Sequence, residues 1–395
     1  MDYYPLPDDS PDDWERVEPA AAGLDPAPLA GAVAFARAHE SRWPKSLFTE
    51  DGRYYPTVYV DEGPPWNELT GPVRAWAGPS GLLLRGGRIV AEWGDTRRVD
   101  MTFSVAKSYL AILAGLALHD GLIRSLDDPV RGSALDDGFD APGNREITWR
   151  HLLQQTSEWE GTLWGKPDAV DRNRVVAPGA TDNSRKGQAR DLRPPGTHFE
   201  YNDVRVNRLA LSLLQVFRRP LPEVLRARVM APIGASDTWQ WHGYRNSWVE
   251  IDGVRMPSVS GGGHWGGGLW ASTRDHARFA SLVHRRGVWA GKTLVPADWI
   301  DALRTPSPAN PGYGLLWWLN TGRALYPSAP AASLFALGGG SHVLWLDPEH
   351  DLVMVARWVD KPEVDGLLAR VLASVADPPP RPSAGSAPAA PAARG

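Results

Sequence analysis

Residues 109–118 read Tyr-Leu-Ala-Ile-Leu-Ala-Gly-Leu-Ala-Leu, apolar on every face of a helix. A helix without a polar stripe has to be enclosed by other elements, so the chain needs a layered fold with this helix inside it. The segment opens with Thr102-Phe103-Ser104-Val105-Ala106-Lys107, which puts a serine and a lysine three residues apart on one helical face. An ammonium at the mouth of a buried helix is costly unless it has partners. The chain has six lysines, and only Lys107 follows a serine at this spacing. A serine hydroxyl needs a neighbouring base to act as a nucleophile. A lysine in a dry site can be that base, or can hold another base in its anionic form. Ser104 and Lys107 are therefore candidate catalytic residues, against the bland alternative of a solvated surface pair.

Composition narrows the classes. With 395 residues and 43% hydrophobic content the chain can build a substantial core. A formal charge of −4 without a basic patch excludes a nucleic-acid partner. The absence of cysteine excludes disulfides, thiolate metal sites and a cysteine nucleophile. No pair of histidines has zinc-ligand spacing and no Walker or dinucleotide glycine pattern follows a strand, so no metal or organic cofactor is expected. There is no Gly-x-Ser-x-Gly elbow of the α/β-hydrolase kind. The acidic, proline-punctuated start Met1–Ser10 lacks the basic and apolar regions of a signal peptide, and the longest apolar run is too short for a bilayer. A cytoplasmic protein with no membrane partner is expected.

The elements follow from local signals. Asp25-Pro26 opens a helix to about Ala38, with the aspartate as cap. Residues 44–79 read as a long ordered loop. Residues 81–93 form a hairpin around Gly86-Gly87. The buried helix ends at Asp120-Gly121. Further helices are expected at 148–155 (capped by Thr148), 207–217, 222–230, 274–284 (capped by Ser272 or Thr273) and 363–376. Strands at 343–346 and 352–356 are joined by the turn sequence Asp347–Asp351. The order is hairpin, helical middle, hairpin and helix, which predicts an α+β fold: one antiparallel sheet built from both ends of the chain, flanked by helices, with a mostly helical second lobe. The expected division is an arm at 1–22, an α/β lobe from 23–118 and 256–376, a helical lobe at 119–255 and a disordered tail at 377–395.

Three other stretches can carry chemistry. Tyr201, in Gly196-Thr197-His198-Phe199-Glu200-Tyr201-Asn202-Asp203, is a candidate general base if Lys107 stabilises its anion; the alternative is a core tyrosine with a satisfied hydroxyl. Gly338-Gly339-Gly340-Ser341 stands at the mouth of a C-terminal strand, where backbone N–H groups can bind a developing oxyanion. The run Gly261-Gly262-Gly263-His264-Trp265-Gly266-Gly267-Gly268 permits close backbone passage near a ligand. Among nineteen tryptophans, Trp159, Trp164 and Trp265 are candidates for pocket walls.

Ser104–Lys107, Tyr201 and Gly338–Gly340, in this order and spacing, resemble the serine β-lactamase-like, penicillin-recognising group. The resemblance is to its class C β-lactamase-type branch, with its esterases, D-amino-acid peptidases and 6-aminohexanoate-dimer hydrolases. The flanking text is similar too: His151–Thr156, Pro195-Gly196-Thr197, Gly266-Gly267-Gly268-Leu269 with Thr273-Arg274-Asp275, and Asp347-Pro348-Glu349. The resemblance covers roughly residues 75 to 375. It implies Ser104 as the acylated nucleophile, Lys107 bonded to it, Tyr201 exchanging protons, and an oxyanion hole from the N–H groups of Ser104 and Ser341. Two positions depart from the pattern. Asp203 stands where Tyr-x-Asn is usual, and its charge would favour a protonated Lys107. The basic residue that opens the third motif is absent, with Leu337 or Gly338 in its place, and His342 just beyond is a candidate substitute. The expected activity is cleavage of a small ester or amide through a Ser104 acyl-enzyme. The alternatives are β-lactamase or D-amino-acid peptidase activity, or a non-catalytic relative that binds ligands in the cleft.

Overall fold

The computed structural model describes residues 3–8, 10, 13–176 and 182–376; the expected tail at 377–395 lies outside the described residues. The first helix, α1 (Pro26–Ala38), starts where the Asp25 carboxylate accepts the Ala27 N–H at 3.0 Å. The stretch expected as loop at 44–79 contains a short helix, Tyr55–Tyr59. Strands β1 (Ser80–Arg85) and β2 (Arg88–Trp93) follow. Gly86 and Gly87 join them at φ 59° and 81°, the left-handed pair that a two-residue hairpin turn requires.

The apolar run forms α2 (Val105–His119), buried from Val105 to Ala117. Next come α3 (Trp149–Leu153), capped by Thr148, and α4 (Asp203–Phe217). The latter starts earlier than the expected 207, because the Asn202 side chain accepts the N–H groups of Val204 and Arg205. The segment expected as one helix at 222–230 divides into Leu221–Leu225 and a wider turn, Arg226–Met230. Helix α5 (Thr273–His284) begins in a capping box between Ser272 and Asp275. The chain closes with β3 (Trp318–Leu319), β4 (Leu334–Gly338), β5 (His342–Asp347), β6 (Leu352–Arg357) and α6 (Val364–Ala373).

These strands make one six-stranded antiparallel sheet in the order β3-β4-β5-β6-β1-β2. The β6–β1 pairing joins early and late parts of the chain, from Ser80 opposite Arg357 to Arg85 opposite Leu352. Every residue of β5 and β6 is buried, so both faces of the sheet centre are covered. Helix α5 lies across β6, β5 and β1, while α1 packs on α6 and β2. Helix α2 is held between α4 and strands β4 and β5. A smaller sheet pairs Gly268–Ala271 with both Gln240–His242 and Asp100–Met101. It brings the backbone to Thr102, whose N–H and hydroxyl both donate to the Leu269 carbonyl. Ser104 is thus fixed three residues beyond Met101, the last residue of that sheet. No helix among the described residues is long and apolar enough to cross a membrane.

Candidate active site

Ser104 sits at the N-cap of α2, immediately after Phe103 at φ 48°. A left-handed backbone in a phenylalanine is strained, and such strain concentrates where surroundings over-determine geometry. A serine at an N-cap ordinarily spends its oxygen on a backbone N–H; Ser104 makes no such bond and is half-buried. Its Oγ instead accepts from Lys107 Nζ at 3.0 Å. The Ser104 N–H has no acceptor among the described residues, and neither has the N–H of Ser341.

Lys107 is fully buried. Burial works against its charge, but the Asp203 carboxylate and Tyr201 outweigh it and hold the amine above the ordinary lysine value. Lys107 donates to Asp203 Oδ1 at 2.5 Å. Asp203 Oδ2 accepts from Arg174 Nη1 at 2.5 Å and faces His264 Nδ1 at 3.1 Å. Burial pushes the Asp203 carboxyl up, and Lys107, Arg174 and His264 together hold it well below the usual carboxylate range. Lys107 is therefore an ammonium at neutral pH. It can donate to Ser104 but cannot accept its proton.

Tyr201, 4% exposed, lies beneath two cations, with Lys107 Nζ 4.7 Å and the Arg174 guanidinium 5.6 Å from its ring centre. Its other side stacks on Trp318 at 5.8 Å.

Asp203 belongs to a larger buried network. Asp171 accepts from Arg174 at 3.3 Å and from the Asp203 N–H at 2.8 Å. Glu62 meets Lys186 at 2.7 Å, His264 Nε2 at 2.8 Å and Trp265 Nε1 at 2.5 Å. Burial opposes the Glu62 charge, but His264 and Lys186 bring its pKa down to about 2. Burial likewise opposes charge on His264, and Glu62 with Asp171 raises it above the ordinary value. Glu62, Asp171 and His264 bring potential ligand atoms within 4.8 Å of one another. The Lys186 ammonium already contacts both carboxylates, Asp171 at 3.4 Å, so the cluster has its cation and does not fit a metal ion.

Ser104 opens into a cleft of about 130 Å³. Tyr201, Arg174, Leu337, Gly338, Gly339, Gly340, Ser341 and His342 share its wall. The glycines are there for space: a Cβ on Gly338 would lie 2.3 Å from the Thr102 carbonyl oxygen, and one on Gly339 2.8 Å from the Trp43 ring. His342 lines the cleft but is no substitute for a basic residue. Burial and the adjacent Arg357, which donates to its Nδ1 at 2.9 Å, hold it well below the usual histidine value and hence neutral.

Other expected wall residues lie elsewhere. Trp159 is 2% exposed and donates to the Gly138 carbonyl at 2.7 Å; Trp265 is fully buried on Glu62; Trp164 packs on the main core. Asp203 stands behind the wall, spent on Lys107 and Arg174. The glycine run at 261–268 passes over this ion pair rather than a ligand, since a Cβ on Gly262 would lie 2.6 Å from both Asp203 Oδ1 and Lys107 Nζ. The aromatic walls are Trp43, Tyr59, Trp318 and Tyr326, and the two charged linings are Arg174 and Lys361. Neither cation has a spacing motif in the sequence.

The family model described as Beta-lactamase matches residues 81–376 of the 395. The chain belongs to the Beta-lactamase family. Membership makes it a hydrolase of the serine β-lactamase-like type. No curated protein is similar enough in sequence to count as a match. Among solved structures, a penicillin-binding protein homolog from Caulobacter crescentus shares the fold at TM-score 0.55 and 16% identity, over 89% of this chain and 99% of that one. EstCE1, a hydrolase with promiscuous acyltransferase activity, aligns at TM-score 0.54 and 17% identity over the same shares. A provisionally named 6-aminohexanoate-dimer hydrolase from Bacillus anthracis aligns at TM-score 0.53 and 16% identity, over 86% of this chain and 88% of that one. At these identities the likeness is one of fold. The antiparallel sheet flanked by helices is accordingly that of the Beta-lactamase family, with the Ser104 cleft at the turn between β4 and β5.

Proposed function

We propose that this Beta-lactamase family member cleaves a carboxylic ester or a linear amide through an acyl-enzyme on Ser104. The observation that carries the reading is the 3.0 Å bond from a charge-locked Lys107 to a Ser104 hydroxyl that is otherwise free and faces the cleft. Ser104 Oγ attacks the substrate carbonyl. Its proton is relayed through Tyr201 to the leaving alcohol or amine, because Lys107 already carries its full complement of protons. The ammonium stabilises the serine oxygen as charge builds on it. The N–H groups of Ser104 and Ser341, without acceptors of their own, hold the carbonyl oxygen as it becomes an oxyanion. Water then attacks the acyl carbonyl, passing a proton back through Tyr201 to Ser104.

Esters and linear amides are preferred over β-lactams because Leu337 stands at the third motif and His342 is neutral. The test is hydrolysis of p-nitrophenyl acetate and butyrate, with nitrocefin alongside. Wild type is expected to turn over the esters, Ser104→Ala to lose at least ~10³-fold in kcat, and Tyr201→Phe to lose ~10²-fold or more, the usual size of a proton-transfer contribution. Equal rates in Ser104→Ala would overturn the reading; efficient nitrocefin turnover would move the substrate class to β-lactams.

A further inference from the structure

Arg357, the last residue of β6, is fully buried, and no carboxylate among the described residues forms an ion pair with it. Asp100, whose charge it feels most, is taken by Arg98 at 2.9 Å. A buried cation is ordinarily kept only with an anion beside it, so Arg357 is kept for what its N–H groups join. Nη2 donates to the Met101 carbonyl at 3.1 Å, Nη1 to the Ala271 carbonyl at 2.7 Å and Nε to His342 Nδ1 at 2.9 Å. Met101 ends the strand that delivers Ser104, Ala271 ends the strand paired with it, and His342 opens β5 directly after Ser341. The rigid guanidinium fork therefore spans the two segments that carry the unpaired N–H groups of Ser104 and Ser341.

Trp358, the next residue, closes over the same two segments and is 1% exposed. A Cβ on Gly340 would overlap its ring. Its ring centre lies 4.6 Å from that of His342 and 6.1 Å from that of Phe103. Phe103 and Gly340 immediately precede Ser104 and Ser341, so they share the peptide planes that hold the two N–H groups. Trp76, outside the family match at 81–376, stacks on Trp358 at 4.3 Å. Neither Arg357 nor Trp358 lines the cleft.

We infer that Arg357, backed by Trp358, is a positioning residue for the oxyanion hole: it fixes the spacing and aim of the Ser104 and Ser341 N–H groups. The inference rests on the acyl-enzyme reading above and adds what holds the two donors in place. Such donors act on charge that develops only in the transition state, so misplacing them lowers kcat and spares ground-state binding.

The experiment uses p-nitrophenyl butyrate and two inhibitors of the same acyl length, a trifluoromethyl ketone and its methyl ketone. Ser104 Oγ adds to the trifluoromethyl ketone carbon, the serine proton leaves through Tyr201 to solvent, and the carbonyl oxygen becomes a stable oxyanion. The methyl ketone binds without that addition. Arg357→Lys keeps the charge and loses the fork; Arg357→Met loses both. In each, kcat is expected to fall by ~10-fold or more with KM within about twofold. The ratio of methyl ketone to trifluoromethyl ketone inhibition constants should fall by the same factor, and about threefold in Trp358→Phe. This ratio is independent of how much enzyme is folded, so a merely structural role would leave it unmoved. An unmoved ratio in either arginine variant that folds by circular dichroism would overturn the inference. Where neither folds, an unmoved ratio in Trp358→Phe would overturn it. Ester turnover that persists in Ser104→Ala would instead overturn the acyl-enzyme reading, and the oxyanion hole with it.

Discussion

Asp203 determines what Lys107 can do. One carboxylate holds two buried cations, at 2.5 Å each, and a histidine at 3.1 Å. Removing the charge strands Lys107 and Arg174 without an anion, and breaking a buried pair this way typically costs about 3–5 kcal/mol. Asp203→Asn is therefore expected to lower unfolding stability by that order, read from urea midpoints. It should also move the alkaline limb of the pH–rate profile to lower pH. The sign follows from the pair: Asp203 raises the Lys107 pKa, so its loss lets the ammonium deprotonate earlier. An unmoved alkaline limb would contradict the role given to the ammonium. The placement of Ser104 against Lys107 could be read from helical spacing, and a charge beside Lys107 from Asp203 in the tyrosine motif. Arg174 and Lys361 could not, because only the folded chain brings a loop and a late turn to the same cleft. Trp159, Trp164 and Trp265 show the converse: in a chain with nineteen tryptophans, aromatic content does not sort pocket from core.

At the scale of elements, the hairpin ends, the buried helix and the caps at Asp25, Thr148 and Ser272 could be read from turn and capping residues. Strands β3 and β4 could not. The first is two residues long, and the second, Leu334–Gly338, runs straight into a glycine turn with no polar alternation to mark it as a strand. Helix α4 starts four residues before the expected 207 because its cap, Asn202, lies inside the tyrosine motif itself. The glycine run at 261–268 was legible as a close backbone approach, but what it approaches is the Lys107–Asp203 pair. Gly262→Ala tests this placement. Its Cβ would intrude on both charged atoms at 2.6 Å, and a displacement of about an ångström at a catalytic group can cost ~10²-fold. Ester kcat/KM is expected to fall by that order, with the fold retained by circular dichroism. Wild-type activity in Gly262→Ala would show that the pair need not be held so closely.

Across the whole molecule, the buried network joins separated parts of the chain: Glu62, Lys107 in α2, Asp171 with Arg174, Lys186, Asp203 at the start of α4, and His264 in the glycine run. Such a network makes stability pH-dependent. Glu62 and Asp203 have folded-state pKa values below their unfolded ones, Glu62 at about 2. Their contribution is complete above the ordinary carboxylate pKa of about 4 and is lost as pH falls toward the folded values. Urea midpoints are expected to drop steeply between about pH 4 and pH 2. Glu62→Gln should be less stable at neutral pH and show a shallower acid limb. An equally steep limb in that variant would exclude Glu62 as a source of the slope.

The account as a whole rests on a covalent intermediate at Ser104. The most direct test is rapid-quench intact-mass analysis during p-nitrophenyl acetate turnover, followed by peptide mapping. Wild type is expected to carry a single acetyl increment on the peptide that contains Ser104, and Ser104→Ala none. Unmodified enzyme throughout turnover, or an adduct that persists in Ser104→Ala, would contradict the account.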